Sequence, residues 1–435
     1  MSLSLVDHPA RDQIAEALDD TLVVEAAAGT GKTTELVKRI LRVLATGRAT
    51  VEQVVAVTFT EKAAGELKLR LREALERERG VASEPDARER LDRALGSLEE
   101  AHVNTIHGFC AELLRERPVE AGVDPLFSVL TETQSERLFE EAFGGWLQNQ
   151  LADPPEGVRR ALRRSTPFSF GGARPRQDGP IDRLRRAAWE LTQWRDFPTE
   201  WTRRPFDRDE QIERLVGQLH ALASMSEAPS YANDVLYLDL APVRHLSQEV
   251  QLQQEGTEAA ATPLVDRDGI EARFVDLSRD RNFSRARHGR GPGYRKGVTR
   301  ADLVAALDGF RTHLDGFRLD ADADLAAALQ RELIGAVKRY EELKGRSGSL
   351  DFLDLLLKAR DLVRGNETVR RGFHTRFTHI FVDEFQDTDP LQAEILLLLA
   401  AGDPSETDWR NVTPVPGRLF LVGDPKQSIL SLIHI

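Results

Sequence analysis

Ala26-Ala27-Ala28-Gly29-Thr30-Gly31-Lys32-Thr33-Thr34 stands between a β-branched run, Thr21 to Val24, and a helical pattern that carries Leu36, Val37, Ile40, Leu41 and Leu44 on one face. A glycine-rich turn between a strand and a helix is the setting that a phosphate-binding loop requires. The glycines let backbone N–H groups close round phosphate oxygens, and the first turn of the helix adds its partial positive charge. On this reading Ala26 to Thr34 cradle a nucleotide, Lys32 reaches its β and γ phosphates, and the Thr33 hydroxyl ligates Mg²⁺. Ala26 occupies the position where the general pattern has glycine.

Moving outward, short apolar runs alternate with longer helical patterns. Val54 to Phe59 and His102 to Thr105 read as further strands, with Ala64, Leu67 and Leu71 on the face of the helix between them. Such alternation predicts a parallel α/β sheet. Strand patterns return at Ile380 to Val382 and Leu419 to Val422, with an apolar helix, Leu391 to Leu399, between them. The segment from about Leu151 to Arg346 differs, being Arg-rich, helical in pattern and broken by Pro- and Gly-rich stretches at 166–180 and 288–297. The expected organisation is therefore one α/β domain with a parallel sheet, split into residues 1–150 and 346–435 by a mostly helical insertion over 151–345.

Phe381-Val-Asp383-Glu384 is the natural chemical partner of the loop. It predicts a strand ending in two carboxylates, at the carboxyl edge of the sheet where α/β proteins bind ligands. Asp383 suits a Mg²⁺ ligand, and Glu384 suits the base that activates a water.

Composition narrows the remaining classes. The apolar fraction of 41% and charged fraction of 30% are ordinary for a soluble chain, and no run approaches the ~18 apolar residues of a membrane span. Residues 1–10 lack a secretory pattern, and a single cysteine, Cys110, can form neither an internal disulfide nor a thiolate cluster; both point to the cytoplasm. The net charge is -12, yet Gly157 to Arg186 and Arg273 to Arg300 each carry a local +7, which makes both segments candidates for contact with DNA phosphates. Trp189, Trp194 and Trp201 are expected to pack the core of the insertion.

Asp383-Glu-Phe-Gln-Asp387-Thr resembles the second motif of superfamily 1 helicases of the UvrD, Rep and RecB/AddA group. Other stretches resemble further motifs of that group, in its order. Gln13 lies upstream of the phosphate loop like a glutamine that reads adenine. Thr58-Phe59-Thr60-Glu-Lys62-Ala-Ala64 and Asn104-Thr105-Ile-His107-Gly-Phe109 resemble two single-strand-contacting motifs. Gly423-Asp424-Pro-Lys-Gln427-Ser-Ile429 resembles the motif whose glutamine senses the γ-phosphate.

The resemblance covers about 1–130 and 350–429. It implies a RecA-like P-loop NTPase domain that couples ATP hydrolysis, with Mg²⁺, to movement on single-stranded or duplex-end DNA. The roles it implies are catalysis by Lys32, Asp383, Glu384 and Gln427, and DNA contact by Thr58, Phe59, Thr60, Lys62, Thr105, His107 and Phe109. Phe59 and Phe109 are equally readable as core aromatics, and His107 as an ordinary surface histidine. Leu350-Asp-Phe-Leu-Asp354-Leu-Leu and the length of the insertion point to the RecB/AddA branch, and with it to double-strand-break repair and a partner in the form of a second helicase-nuclease subunit. After Ile429 the sequence departs from the family pattern, so the chain reads as a fragment whose second α/β half, with its phosphate-contacting arginines, lies beyond residue 435. Two other readings stand beside this one: a P-loop ATPase that is not a motor, and a nucleotide- or DNA-binding module without turnover.

Overall fold

Five short strands pair in parallel in the computed structural model, which describes residues 7–27, 29–164, 179–197, 199–231, 233–258, 266–291 and 293–428. The strands are β1 (Leu22–Glu25), β2 (Val54–Thr58), β3 (His102–Thr105), β4 (His379–Val382) and β5 (Leu419–Gly423), and their order across the sheet is β1-β5-β4-β2-β3. Sequence-distant β4 lies between β2 and β5, pairing Ala56 with Phe381 on one side and Phe381 with Phe420 on the other. Ala28 of the phosphate loop and residues 429–435 fall outside the described residues.

Alternation along the strands supplies both faces of the sheet, as the two-residue pleat requires. Val55, Val57, Ile380, Val382 and Leu421 face one core, with α4 (Ile106–Glu116), α5 (Phe352–Gly365) and α6 (Pro390–Ala400). Val54, Ala56, Phe381, Phe420 and Val422 face the other, with α2 (Lys32–Ala45) and α3 (Glu61–Val81). The helices start where the sequence provides caps. Thr60 accepts from Ala63 N at 3.1 Å and Thr105 from Gly108 N at 3.1 Å, while Asp351 and Asp354 close a reciprocal capping box. The first described helix, α1 (His8–Glu16), precedes β1. All five strands end on the same side, so the α2 N-terminus and the β4 terminus share one edge.

The chain divides into two compact units, residues 1–133 with 345–435, and residues 134–344. The first boundary therefore falls earlier than residue 150. In the helix Glu132–Gln150, Phe139, Phe143 and Trp146 pack with Leu184, Ala188 and Tyr340 of the helical unit. Its described residues form helices, including the 47-residue Arg300–Arg346, and one small antiparallel pair, Gly293–Arg295 and Val298–Thr299. Of the tryptophans expected in its core, Trp189 is half-buried against Phe139, but Trp194 and Trp201 are more than half exposed. Both lie in the irregular stretch between the helices Pro180–Gln193 and Arg208–Ser226, where no helical face turns them inward. No helix among the described residues is long and apolar enough to cross a membrane.

Candidate nucleotide site and nucleic-acid edge

The phosphate loop is shaped by two left-handed glycines, Gly29 at φ 75° and Gly31 at φ 89°. Only glycine adopts that conformation without steric cost. Between them Thr30 folds back, its hydroxyl donating to the Ala27 carbonyl at 2.7 Å, and Gly31 becomes the N-cap of α2. The loop is tied to the sheet by Ala26 N, which donates to the Gly423 carbonyl at 3.1 Å. It is tied to α1 by Arg11, whose guanidinium donates to the Thr30 carbonyl at 2.7 Å and to Glu35 at 2.6 Å.

Two pairs join this loop to the end of β4. Lys32 Nζ donates to Glu384 Oε2 at 3.0 Å, and Thr33 Oγ1 donates to Asp383 Oδ2 at 3.0 Å. Asp383 is held in register by its own N–H, which donates to the Val57 carbonyl at 2.9 Å. Burial pushes the Asp383 carboxyl above its ordinary value; the Thr33 hydrogen bond opposes this and the neighbouring Glu384 charge adds to it. Glu384 itself has φ 55°, a left-handed conformation that costs a non-glycine residue about 1–3 kcal/mol. The surrounding contacts must hold it there. Hard oxygen donors at Thr33 and Asp383, beside an ammonium that can meet phosphate, suit a hydrated divalent cation together with a nucleotide.

Other residues named from the sequence are distributed unevenly. Gln13 is exposed on α1, on the same helix as Arg11, and Thr34 is exposed in the first turn of α2. Gln427 is exposed in the turn Pro425–Gln427 that follows β5, with its backbone N–H donating to the Asp424 carbonyl at 2.8 Å.

Along the ends of β2 and β3, Phe59 is 51% exposed and Thr60 and Lys62 are also exposed. His107 is half-buried, lies edge-on to Phe352 with ring centroids 5.4 Å apart, and is held below the ordinary histidine value by burial. Phe59, Glu61, Asn104, Thr105, His107 and Phe352 border an open recess of about 460 Å³.

Three residues expected to touch DNA are buried. Phe109 is wholly buried, edge-on to Phe377 at 5.4 Å, because the face of α4 that carries it is the core face. Thr105 is buried, and its hydroxyl is used in capping α4 and in donating to Glu61 at 2.9 Å. Thr58 is buried, and among the described residues its hydroxyl has no hydrogen-bond partner.

Most of the described arginines of the two basic segments are also engaged internally. Arg160 meets Glu271 and Asp324, Arg164 meets Glu271 and Asp322, Arg159 meets Asp268, Arg287 meets Asp239 and Arg300 meets Asp234. Sequence reading gave no role to Arg11, Gln386 or Phe352. Gln386 and Phe352 stood inside quoted motifs, whereas nothing in the local spacing signals that Arg11 faces the loop.

The family model of the UvrD/REP helicase N-terminal domain matches residues 8–267 and 305–432. The chain belongs to that family. Among curated proteins it is similar to an ATP-dependent helicase/nuclease subunit of Pediococcus pentosaceus, at 27% identity over 94% of this chain and 33% of that protein. It is similarly related to the proteins of the same name from Listeria welshimeri, at 27% over 95% and 34%, and Moorella thermoacetica, at 28% over 96% and 31%. The chain spans about a third of the length of these relatives.

Proposed function

We propose that this chain is the ATP-binding and first DNA-contacting part of an ATP-dependent DNA helicase. In this reading it moves on single-stranded or duplex-end DNA in the cytoplasm, serves double-strand-break repair, and works beside a second helicase-nuclease subunit. The observation that carries the proposal is the meeting of Lys32 with Glu384 and of Thr33 with Asp383, residues about 350 positions apart in the chain. Membership of a helicase family and similarity to helicase/nuclease subunits support the same reading.

Lys32 exchanges its Glu384 partner for the β and γ phosphates of ATP, which frees the Glu384 carboxylate to accept a proton from the attacking water. Thr33 and Asp383 would hold Mg²⁺, which when bound neutralises charge on the phosphate oxygens. The glycines of the loop and the α2 N-terminus orient the phosphates. Gln13 faces the adenine, and Gln427 reports the γ-phosphate to the rest of the sheet edge. Phe59 offers its exposed ring to a base, with Thr60, Lys62 and His107 beside it, a sequence-tolerant way to hold a single strand.

Titration of ATP and Mg²⁺ against the parent and Lys32→Ala proteins tests the site. Loss of a charge-assisted contact, worth about 1.5–3 kcal/mol, should weaken binding roughly 10- to 100-fold. Equal affinities would remove the basis for the assignment.

A further inference from the structure

Gln386 is half-buried between the ends of β4 and β5, and both ends of its carboxamide are used. Nε2 donates to Glu384 Oε2 at 2.7 Å and reaches Asp387 Oδ2 at 3.4 Å, while Oε1 accepts from Asp424 N at 2.8 Å. The partners dictate the amide orientation, since an ionised carboxylate only accepts and a backbone N–H only donates. The Ser428 hydroxyl also donates to the Gln386 carbonyl, at 3.1 Å.

β5 comes close enough to make this contact tight. A Cβ on Gly423 would lie 2.8 Å from Gln386 Oε1 and 3.2 Å from Gln386 N, so a side chain at 423 would collide with the bridge. Glu384 Oε2 is thus shared between Lys32 and Gln386. Once phosphates engage Lys32, Gln386 is the neighbour that continues to hold that oxygen, and Glu384 sits in a backbone conformation that needs holding.

We infer that Gln386 is a positioning residue: it orients the Glu384 carboxylate for proton transfer and links it to the Gly423–Gln427 segment, so the base is in place only when that segment is. The inference rests on the reading of Glu384 as the base.

The test uses the complete protein, with ATP, Mg²⁺ and an oligothymidine strand, and measures steady-state and single-turnover phosphate release. Gln386→Leu removes both arms of the bridge. Gln386→Glu keeps an acceptor for the Asp424 N–H but replaces the donor to Glu384 with a like charge, so it separates positioning from folding. Both variants should lower kcat roughly 10- to 100-fold, with KM for ATP changed less than about threefold. In a Glu384→Gln background, adding Gln386→Leu should slow phosphate release no further, because the two residues act through one group. Hydrolysis by Gln386→Glu at the parental rate would overturn the inference. So would losses that multiply independently in the double variant. Undiminished hydrolysis by Glu384→Gln alone would overturn the reading of the base itself, a distinct result.

Discussion

The two units of this chain use opposite charges in opposite ways. In the helical unit the Arg160 guanidinium is fully buried between Glu271, 1% exposed, and Asp324, 5% exposed, and Arg164, Arg203 and Arg208 pair with the same two carboxylates. At the candidate nucleotide site Lys32 and Glu384 also pair, but Glu384 is 37% exposed and, among the described residues, Lys32 has a single carboxylate partner. The first cluster is closed, with each charge neutralised several times over by its own chain. The second is open, and either partner can be exchanged for a ligand. Titration separates them too: Asp324 is held below the ordinary carboxylate value, the Arg203 and Arg160 bonds outweighing its burial, whereas burial raises Asp383. On the proposed reading, it is the incompleteness of the Lys32–Glu384 bridge that leaves it open to a ligand.

The largest effect should come from breaking the closed cluster. Arg160→Ala removes the fully buried cation that Glu271 and Asp324 share but leaves Glu271 with Arg164 and Arg208 and Asp324 with Arg203, so the cost should be that of a lost charge-assisted bond, about 1.5–3 kcal/mol. Urea unfolding followed by tryptophan fluorescence reads this directly, since Trp146, Trp189, Trp194 and Trp201 all lie in the helical unit. A change below about 1 kcal/mol would mean that the cluster behaves like a surface pair.

Acid should act on the same cluster without mutation. Asp324 and Asp268 have lowered folded values, burial being outweighed by bonds from Arg203 and Arg160 to the first and from Arg159 and Arg208 to the second. Groups of this kind add stability that is fully present above their unfolded value, about 3.9 for Asp, and that disappears as pH falls through the folded value. The helical unit should hold its urea midpoint down to about pH 4 and lose it steadily below. A midpoint that is flat to pH 2 would contradict the assignment.

Smaller effects test which arginines remain available to a polyanion. Arg285 and Arg290 are exposed and make no ion pair among the described residues, whereas Arg287 is bound to Asp239 and Arg295 donates to the Ser224 carbonyl. Neutralising Arg285 and Arg290 should flatten the salt dependence of DNA binding by roughly one unit of slope per lost phosphate contact, and neutralising Arg287 and Arg295 should not. Equal slopes for both pairs would erase the distinction between free and engaged charge.

Thr58→Val should have the smallest effect. The buried hydroxyl has no partner among the described residues, so its replacement by a methyl of similar shape should leave stability unchanged or raise it by about 1 kcal/mol. A clear destabilisation would show that the hydroxyl is satisfied in solution.

Much of the nucleotide half was legible because its determinants are local. A loop that needs positive φ at two positions selects Gly29 and Gly31, a helix that starts there places Lys32 and Thr33, and two-residue alternation marks β2 and β4. The same local logic left Phe109 open between core and DNA, since a motif fixes which residue follows a strand but not which side of the following helix meets the core. It also made Trp194 and Trp201 core residues on composition alone.

What the sequence by itself determined is the set of groups whose behaviour depends on neighbours within a turn or two: the phosphate loop and the two carboxylates at the end of a strand. Only the tertiary structure decided which charges meet. Insertion of β4 between β2 and β5 brings Glu384 to Lys32 and Gln386 to Asp424, and the folding of the helical unit consumes most of the described arginines that looked free. The reason is physical: backbone conformation is set over a few residues, whereas desolvation and pairing depend on every atom within several ångströms, whatever its distance along the chain.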